Sequence, residues 1–223
     1  MRHLAAAWLD LAARSGARGD RGDLAGAGAA LLGRWSEPHR GYHDLTHLAE
    51  VLERIDLLAE EAASADVVRL AAWFHDAVYD PRAGDNEERS ASLALETLAR
   101  LGVPAAGAQE VARLVRVTTT HDVRPGDTDA AVLCDADLAV LASSDDRYRT
   151  YLQGIRSEYA HLSDATFAQG RAAVLQRLLD RERLFGTAYG QRVWEVPARA
   201  QITAELYRLC GDGGGEVPRP AAG

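Results

Sequence analysis

Charged side chains placed inside strongly apolar segments are the feature that most constrains the fold of this chain. The segment AAWFHDAVYD holds His75 and Asp76, and the segment AAVLCDADLAVLA holds Asp137. A buried carboxylate is costly unless it is paired, hydrogen-bonded or bound to a metal. The sequence therefore predicts that these side chains meet partners from other segments in the interior of the folded protein.

The spacing of apolar residues predicts helices along the chain and no strand. Residues 44–63 carry one apolar stripe, typical of an amphipathic helix with Asp44 or Thr46 at its start. Residues 66–79 are apolar on all sides, which predicts a buried central helix. The other predicted helices are 3–14, 24–34, 86–101, 107–118, 128–142, 146–160, 164–184 and 195–210. We expect an all-α, single-domain helical bundle over residues 1–210.

Two segments lack this periodicity. Residues 16–28 are rich in Gly, Asp and Arg, which predicts a loop before the helix at 24–34. Residues 211–223, GDGGGEVPRPAAG, have no apolar repeat and are predicted to be a disordered tail.

Charge and composition exclude several classes of protein. The net charge is −8 and the basic residues, all Arg, are scattered, so we expect no binding to long nucleic acids. No run of about 18 apolar residues exists, which predicts no membrane span. The two cysteines do not form a CxxC pair, which favours a reducing, cytoplasmic location. An oligomer is compatible with all of these observations.

Two imidazoles and two carboxylates, from His47, His75, Asp76 and Asp137, form a mixed nitrogen and oxygen donor set. Such a set suits Mn, Fe, Co, Ni or Zn, and suits Mg when waters complete the shell. No thiolate accompanies these residues, which favours an open, reactive site over a structural zinc site. Asp135 points about 200° around a helix from Asp137, so only one of the two can face a given point.

The order His47, His75–Asp76, Asp137, each on a predicted helix, resembles the HD superfamily of metal-dependent phosphohydrolases. More narrowly, the chain between Arg40 and Leu206 resembles an uncharacterised branch of this superfamily. The matching stretches are RGYHDLTHLAEVL, AAWFHDAVYDP, NEERSA, DADLAVL, IRSEY, GRAAVLQRLL and EVPAR. The resemblance implies an all-helical fold, with His47, His75, Asp76 and Asp137 as ligands of a divalent metal ion.

Catalytic roles are expected for Asp76, His121 and Glu87. Asp76 would accept a proton from metal-bound water. His121 is a candidate for a second metal, for catalysis, or for a loop residue that caps the preceding helix. Glu87 and Glu88 also suit the N-terminus of a helix on electrostatic grounds alone.

Substrate binding is expected at Arg40, Tyr42, His43 and Arg171, which also match the resemblance. The two arginines would clamp phosphate oxygens, or else form ion pairs between helices. His43 is four residues from His47, so both would share a helix face, and His43 would orient a ligand by hydrogen bonding.

The expected reaction is hydrolysis of a phosphomonoester or phosphodiester by metal-activated water, with a small phosphorylated substrate such as a nucleotide. Three alternatives stay open at this point: a regulatory module that binds metal or nucleotide without turnover, a purely structural helical protein, and a two-iron oxygenase.

Overall fold

This computed structural model describes residues 2–211 of the chain. These residues form eleven α-helices and two 3-10 helices joined by turns and loops, and no strand occurs among them. The α-helices are α1 (Arg2–Arg14), α2 (Arg21–Trp35), α3 (Leu45–Leu57), α4 (Ala65–Phe74), α5 (Asn86–Arg100), α6 (Ala105–Val117), α7 (Thr128–Leu138), α8 (Asp145–Glu158), α9 (Asp164–Leu179), α10 (Ala188–Val193) and α11 (Glu195–Gly211). The 3-10 helices are Ala59–Glu61 and Ala139–Ala142. The predicted all-α class is confirmed. The predicted disordered tail lies outside the described residues, except Gly211, which ends α11.

Helix α4 lies at the centre of the fold, as its apolar sequence predicted. It packs against α1, α3, α5, α6 and α7. More than half of its residues are buried: Val68, Leu70, Ala71, Ala72, Trp73 and Phe74. Because α3 and α7 both contact α4, polar residues near the ends of these three helices can meet in the interior.

The end of α4 differs from the prediction, because the helix stops at Phe74 and His75 and Asp76 lie in the turn that follows. Arg40 supplies a physical reason. Its guanidinium donates hydrogen bonds to the carbonyl oxygens of Asp76 (2.8 Å) and Ala77 (3.3 Å). These backbone groups are therefore satisfied without further helical turns.

The predicted loop at 16–28 is wrong from Arg21 onward, because α2 begins there. Asp20 caps this helix by accepting a hydrogen bond from the backbone amide of Asp23 at 2.8 Å. The glycines allow α1 to approach closely, since a Cβ atom at Gly28 would lie 2.4 Å from Cδ1 of Trp8. Packing between helices therefore outweighs the low helix propensity of glycine in this segment.

Several other boundaries also differ. Helix α3 ends at Leu57 and α9 at Leu179, both earlier than predicted, and α10 was not predicted. The predicted cap at Asp44 is confirmed, since its side chain accepts amide hydrogen bonds in the first turn of α3, and Ser163 caps α9 in the same way.

Helices α8, α9 and α11 cover the site side of the core. Helix α11 packs against α9 and against the 3-10 helix Ala139–Ala142. Helix α9 buries only Leu175 completely. None of the helices within residues 2–211 combines the length and apolar character that crossing a bilayer requires.

Gly28→Ala is expected to lower the free energy of unfolding by about 1–3 kcal/mol, because the new methyl group would overlap the Trp8 ring. Gly26→Ala is the matched control: it lies on the same helix, and no atom lies within 4 Å of an added Cβ. This control should raise stability by about 0.5–1 kcal/mol through helix propensity. Urea unfolding measures the free energy of unfolding of both variants. Equal changes in this free energy would contradict the packing argument.

Candidate metal centre

His47, His75 and Asp137 meet in the interior although they lie on three different helices or their ends. His47 occupies the first turn of α3, His75 is the first residue after α4, and Asp137 is the penultimate residue of α7. Within the described part of the chain, their ligand atoms lie within 4.8 Å of one another. This cluster could bind a metal ion.

The distances between the donor atoms have the scale of a coordination shell. Nε2 of His47 lies 3.2 Å from Nε2 of His75 and 3.1 Å from Oδ1 of Asp137. Nε2 of His75 lies 3.6 Å from the same carboxylate oxygen. Ligands about 2.1 Å from an ion are separated by roughly 3.0 Å in octahedral and 3.4 Å in tetrahedral geometry.

The tautomer of His75 also fits a cation. Its Nδ1 lies 2.8 Å from the carbonyl oxygen of Ala72, which can only accept, so Nδ1 carries the hydrogen. In the neutral ring, the lone pair of Nε2 then points at Nε2 of His47 and at carboxylate oxygens. Such a convergence of lone pairs is repulsive without a proton or a cation between them. A backbone carbonyl that orients a histidine in this way is usual at metal sites.

Asp76 approaches the same pair of imidazoles. Its Oδ2 lies 3.2 Å from Nε2 of His75 and 3.8 Å from Nε2 of His47. Asp76 is therefore close to the cluster, on the turn created where α4 ends.

Asp135 has a different environment from Asp137. It accepts hydrogen bonds from the backbone amides of Gly186 and Thr187, both at 2.8 Å, and from the Thr187 hydroxyl at 2.6 Å. Asp135 thus anchors the segment before α10, whereas Asp137 joins the imidazoles. Burial raises the pKa of Asp135 to about 6, in spite of these hydrogen bonds.

The charges of the cluster are strongly coupled. Burial opposes the protonated form of His75, but the carboxylates of Asp76 and Asp137 raise its pKa well above the ordinary value. Burial likewise opposes ionisation of Asp137, but hydrogen bonds from His121, His47 and His75 hold its pKa well below the usual range. A metal ion would replace the proton that this arrangement attracts.

Aromatic rings enclose the two imidazoles. The Trp35 ring centroid lies 5.4 Å from that of His75 and 6.2 Å from that of His47, and the Tyr42 ring lies 4.7 Å from His47. Nε1 of Trp35 donates to the carbonyl oxygen of Trp73 at 3.0 Å, which fixes the indole at the end of α4. These rings keep water from the back of the cluster, while the opposite side meets a cavity.

His121 is held beside Asp137 by an unusual backbone conformation. It has φ of 55°, the only positive φ of a non-glycine residue within the described chain. Its Nε2 lies 2.8 Å from Oδ2 of Asp137, and Arg181 donates to the His121 carbonyl oxygen at 3.1 Å. One oxygen of Asp137 therefore faces the buried imidazoles and the other faces His121. Left-handed residues of this kind cluster at functional sites.

His43 lies before α3, so it does not share a helix face with His47 as predicted. Its Nδ1 is 2.7 Å from Oε2 of Glu158, and its Nε2 is 3.9 Å from Oδ2 of Asp76. The buried Glu158 thus orients the His43 ring toward the cluster.

Glu158 itself was not singled out from the sequence, where it stands in IRSEY near the end of α8. Its Oε1 accepts hydrogen bonds from the amides of Gly41, Tyr42 and His43, and its Oε2 accepts one from the Tyr79 hydroxyl. Burial opposes ionisation, but His43 and the backbone amides lower the pKa of Glu158 to about 2. An acidic residue in the last turn of a helix, where the dipole disfavours it, was the available sequence signal.

The two arginines predicted to bind substrate are both engaged with protein groups. The fully enclosed side chain of Arg40 donates to backbone carbonyls and to Glu37, which gives it a structural role. Arg171 pairs with Glu205 at 2.8 Å and lies over the Tyr151 ring. Arg171 lines the cavity, whereas Arg40 does not.

A cavity of about 1000 Å³ borders the cluster. It brings together most of the other predicted site residues: Tyr42, His43, Glu87, His121, Asp137 and Arg171. Glu87 stands on the cavity wall in the first turn of α5 and is not part of the metal cluster. The buried imidazoles thus lie behind Asp137, and His43 and His121 lie at the open side.

Removal of a cluster side chain is expected to abolish metal binding. His47→Ala, His75→Ala and Asp137→Ala should each weaken the affinity for Mn²⁺ or Zn²⁺ by more than roughly 10–100-fold. That range is the loss expected when only a residue hydrogen-bonded to a metal ligand is removed. Asp135→Asn, two residues from Asp137 on the same helix, should bind the metal normally. Calorimetry and elemental analysis test this, and equal loss in Asp135→Asn would exclude the assigned cluster.

Glu158→Gln is expected to lose stability in a pH-dependent manner. The carboxyl has a pKa of about 2 in the folded protein against an ordinary value of 4.5, so its ionisation stabilises the fold fully above pH 4.5. This contribution, roughly 3 kcal/mol, should fall as the pH drops through 4.5 toward 2. Urea unfolding of both proteins at pH 7, 5 and 3.5 measures it. A constant difference between them at every pH would disprove the ionic contribution.

Comparison with protein-family models, with curated proteins and with solved structures finds no significant match for this chain. The resemblance to the HD superfamily therefore rests on the sequence motifs alone.

Proposed function

We propose that the protein is a metal-dependent phosphohydrolase of the HD type that cleaves a phosphomonoester or a phosphodiester of a small molecule. The observation that carries this proposal is the convergence of two imidazoles and a carboxylate at the wall of a large cavity. His47, His75 and Asp137 would hold the divalent ion, and Asp76 would complete the set. A bound ion of this kind lowers the pKa of a coordinated water and polarises a phosphoryl oxygen.

Asp76 is the proposed proton acceptor. Its carboxylate is close to both imidazoles, and His75 and His43 hold its pKa below the usual range against the effect of burial. It is therefore ionised at neutral pH and can accept a proton from an attacking water. Only 13 % of its side chain is exposed, so few solvent molecules compete for this position.

His43 and His121 are the proposed contacts to the phosphoryl group and the leaving group. Both line the cavity next to Asp137, and an imidazole N–H can donate to an anionic oxygen. Glu158 orients the ring of His43, and the left-handed turn positions His121. His121 also remains a candidate ligand for a second ion, since it shares Asp137 with the first site.

The remaining assignments follow from position. Tyr42 and Arg171 line the cavity and are proposed to shape the substrate site, and Glu87, which also lines the cavity, is proposed to assist proton transfer. Arg40 is left out of the proposed substrate contacts, because its donors are occupied by backbone carbonyls and Glu37. A nucleotide is one candidate substrate among small phosphate esters.

A panel of p-nitrophenyl phosphate and bis(p-nitrophenyl) phosphate with Mn²⁺, Mg²⁺, Co²⁺, Ni²⁺, Fe²⁺ and Zn²⁺ tests the activity. Hydrolysis should require metal and should fall by at least about a thousandfold in His75→Ala and Asp76→Ala, as for groups that act as a catalytic unit. Asp135→Asn should retain activity at temperatures below its unfolding transition. Tight ligand binding without product in every condition would instead indicate a regulatory module.

A further inference from the structure

The cavity continues well beyond the metal centre and is larger than a phosphate group requires. Small-molecule sites usually measure about 300–1000 Å³, and this cavity has about 1000 Å³. Its walls include Tyr151 and Ile155 of α8 and Phe167, Val174 and Leu178 of α9. A ligand that places a phosphoryl group at Asp137 would therefore extend its organic group between these helices.

An apolar stripe of α9 lines the cavity between Thr166, Arg171 and Arg177 and is incompletely covered. Phe167, Gly170, Val174 and Leu178 are spaced by three or four residues, so they share one face of the helix, and all four line the cavity. Val174 is 39 % exposed, although it faces this cavity. A Cβ atom added at Gly170 would meet no atom within 4 Å, which shows that there is open space at this wall.

The charged groups of the lining are largely neutralised by one another or by neighbours. Arg171 pairs with Glu205 at 2.8 Å, and Arg181 with Asp122 at 3.1 Å. Of the arginines that line the cavity, Arg177 alone has no ion pair within the described residues. Three carboxylates balance the three arginines when Asp137 is set aside: Glu87, Asp122 and Asp180. The wall therefore gives no electrostatic preference for a second or third phosphate.

We infer that the substrate is a monophosphate ester with an apolar organic group, an alkyl or aryl chain of about six carbons or more, which packs between α8 and α9. This inference rests on the proposed phosphohydrolase function for the position of the phosphoryl group. Ile155 on α8 and Phe167, Val174 and Leu178 on α9 offer apolar contact to such a group. The same two helices also place Tyr151, Thr166, Arg171 and Arg177 in the lining, and the test below therefore includes a nucleotide.

Ethyl phosphate and hexyl phosphate test the inference, because both release a primary alcohol of similar acidity and differ only in apolar length. Each additional buried methylene raises affinity by at most about fourfold. We expect kcat/KM of the metal-loaded protein to be at least tenfold higher for hexyl phosphate. Equal values for the two esters would overturn the inference and leave the phosphohydrolase proposal intact.

Two variants of α9 test whether the preference for hexyl phosphate over ethyl phosphate depends on this cavity wall. Gly170→Leu fills the open space, so the ratio of hexyl to ethyl kcat/KM should fall at least fivefold. Gln169→Leu places the same side chain at an exposed position that does not line the cavity and should leave the ratio unchanged. An unchanged ratio in Gly170→Leu would show that the chain does not lie along this wall.

The phosphonates of the same two chains separate binding from catalysis. If neither ester is hydrolysed, the phosphohydrolase proposal fails, but hexylphosphonate should still bind at least tenfold more tightly than ethylphosphonate in calorimetry. Equal binding of the two phosphonates would overturn the apolar site. Adenosine monophosphate completes the panel: a kcat/KM tenfold above that of hexyl phosphate would identify a nucleotide site instead.

Discussion

A carboxylate enclosed by apolar helices must find hydrogen-bond donors or a cation, and this requirement organises the interior of the protein. Two solutions occur side by side. Glu158 and Asp135 are satisfied by backbone amides, three for the first and two for the second, and so hold loops in place. Asp76 and Asp137 instead face imidazole nitrogens. The first pair positions loops, and the second pair lies in or beside the cluster that could bind a metal ion.

The central helix and the buried histidines could be predicted from the sequence because both depend on local pattern. An apolar run without a polar side has to be buried, and a histidine or aspartate within it needs a partner. The same reasoning left Asp135 and Asp137 open as ligands, because only one of the two can face a given point of the helix, and the family resemblance favoured Asp137. The contacts of Asp135 distinguish it from Asp137: the amides of Gly186 and Thr187, about fifty residues further along the chain, donate to Asp135.

Other features could not be predicted because they depend on distant residues. The apolar pattern continues through residue 79, yet α4 ends at Phe74, because Arg40 supplies hydrogen bonds that the helix would otherwise provide. The same arginine was predicted to bind phosphate, because the sequence does not show whether an arginine side chain is exposed or buried. Helix α2 tolerates its glycines partly because Gly28 lets Trp8 approach, which is a tertiary contact. The residues of α8 and α9 that line the cavity likewise could not be predicted without the tertiary structure.

The donors of the metal centre come from parts of the chain that are far apart. His47 and His75 are 28 residues apart, and His75 and Asp137 are 62 residues apart. Joining the ends of such segments costs chain entropy, which the packing of the core offsets. A cation bound there would act as a cross-link between remote segments, so that its release and the global opening of the protein would be thermodynamically linked.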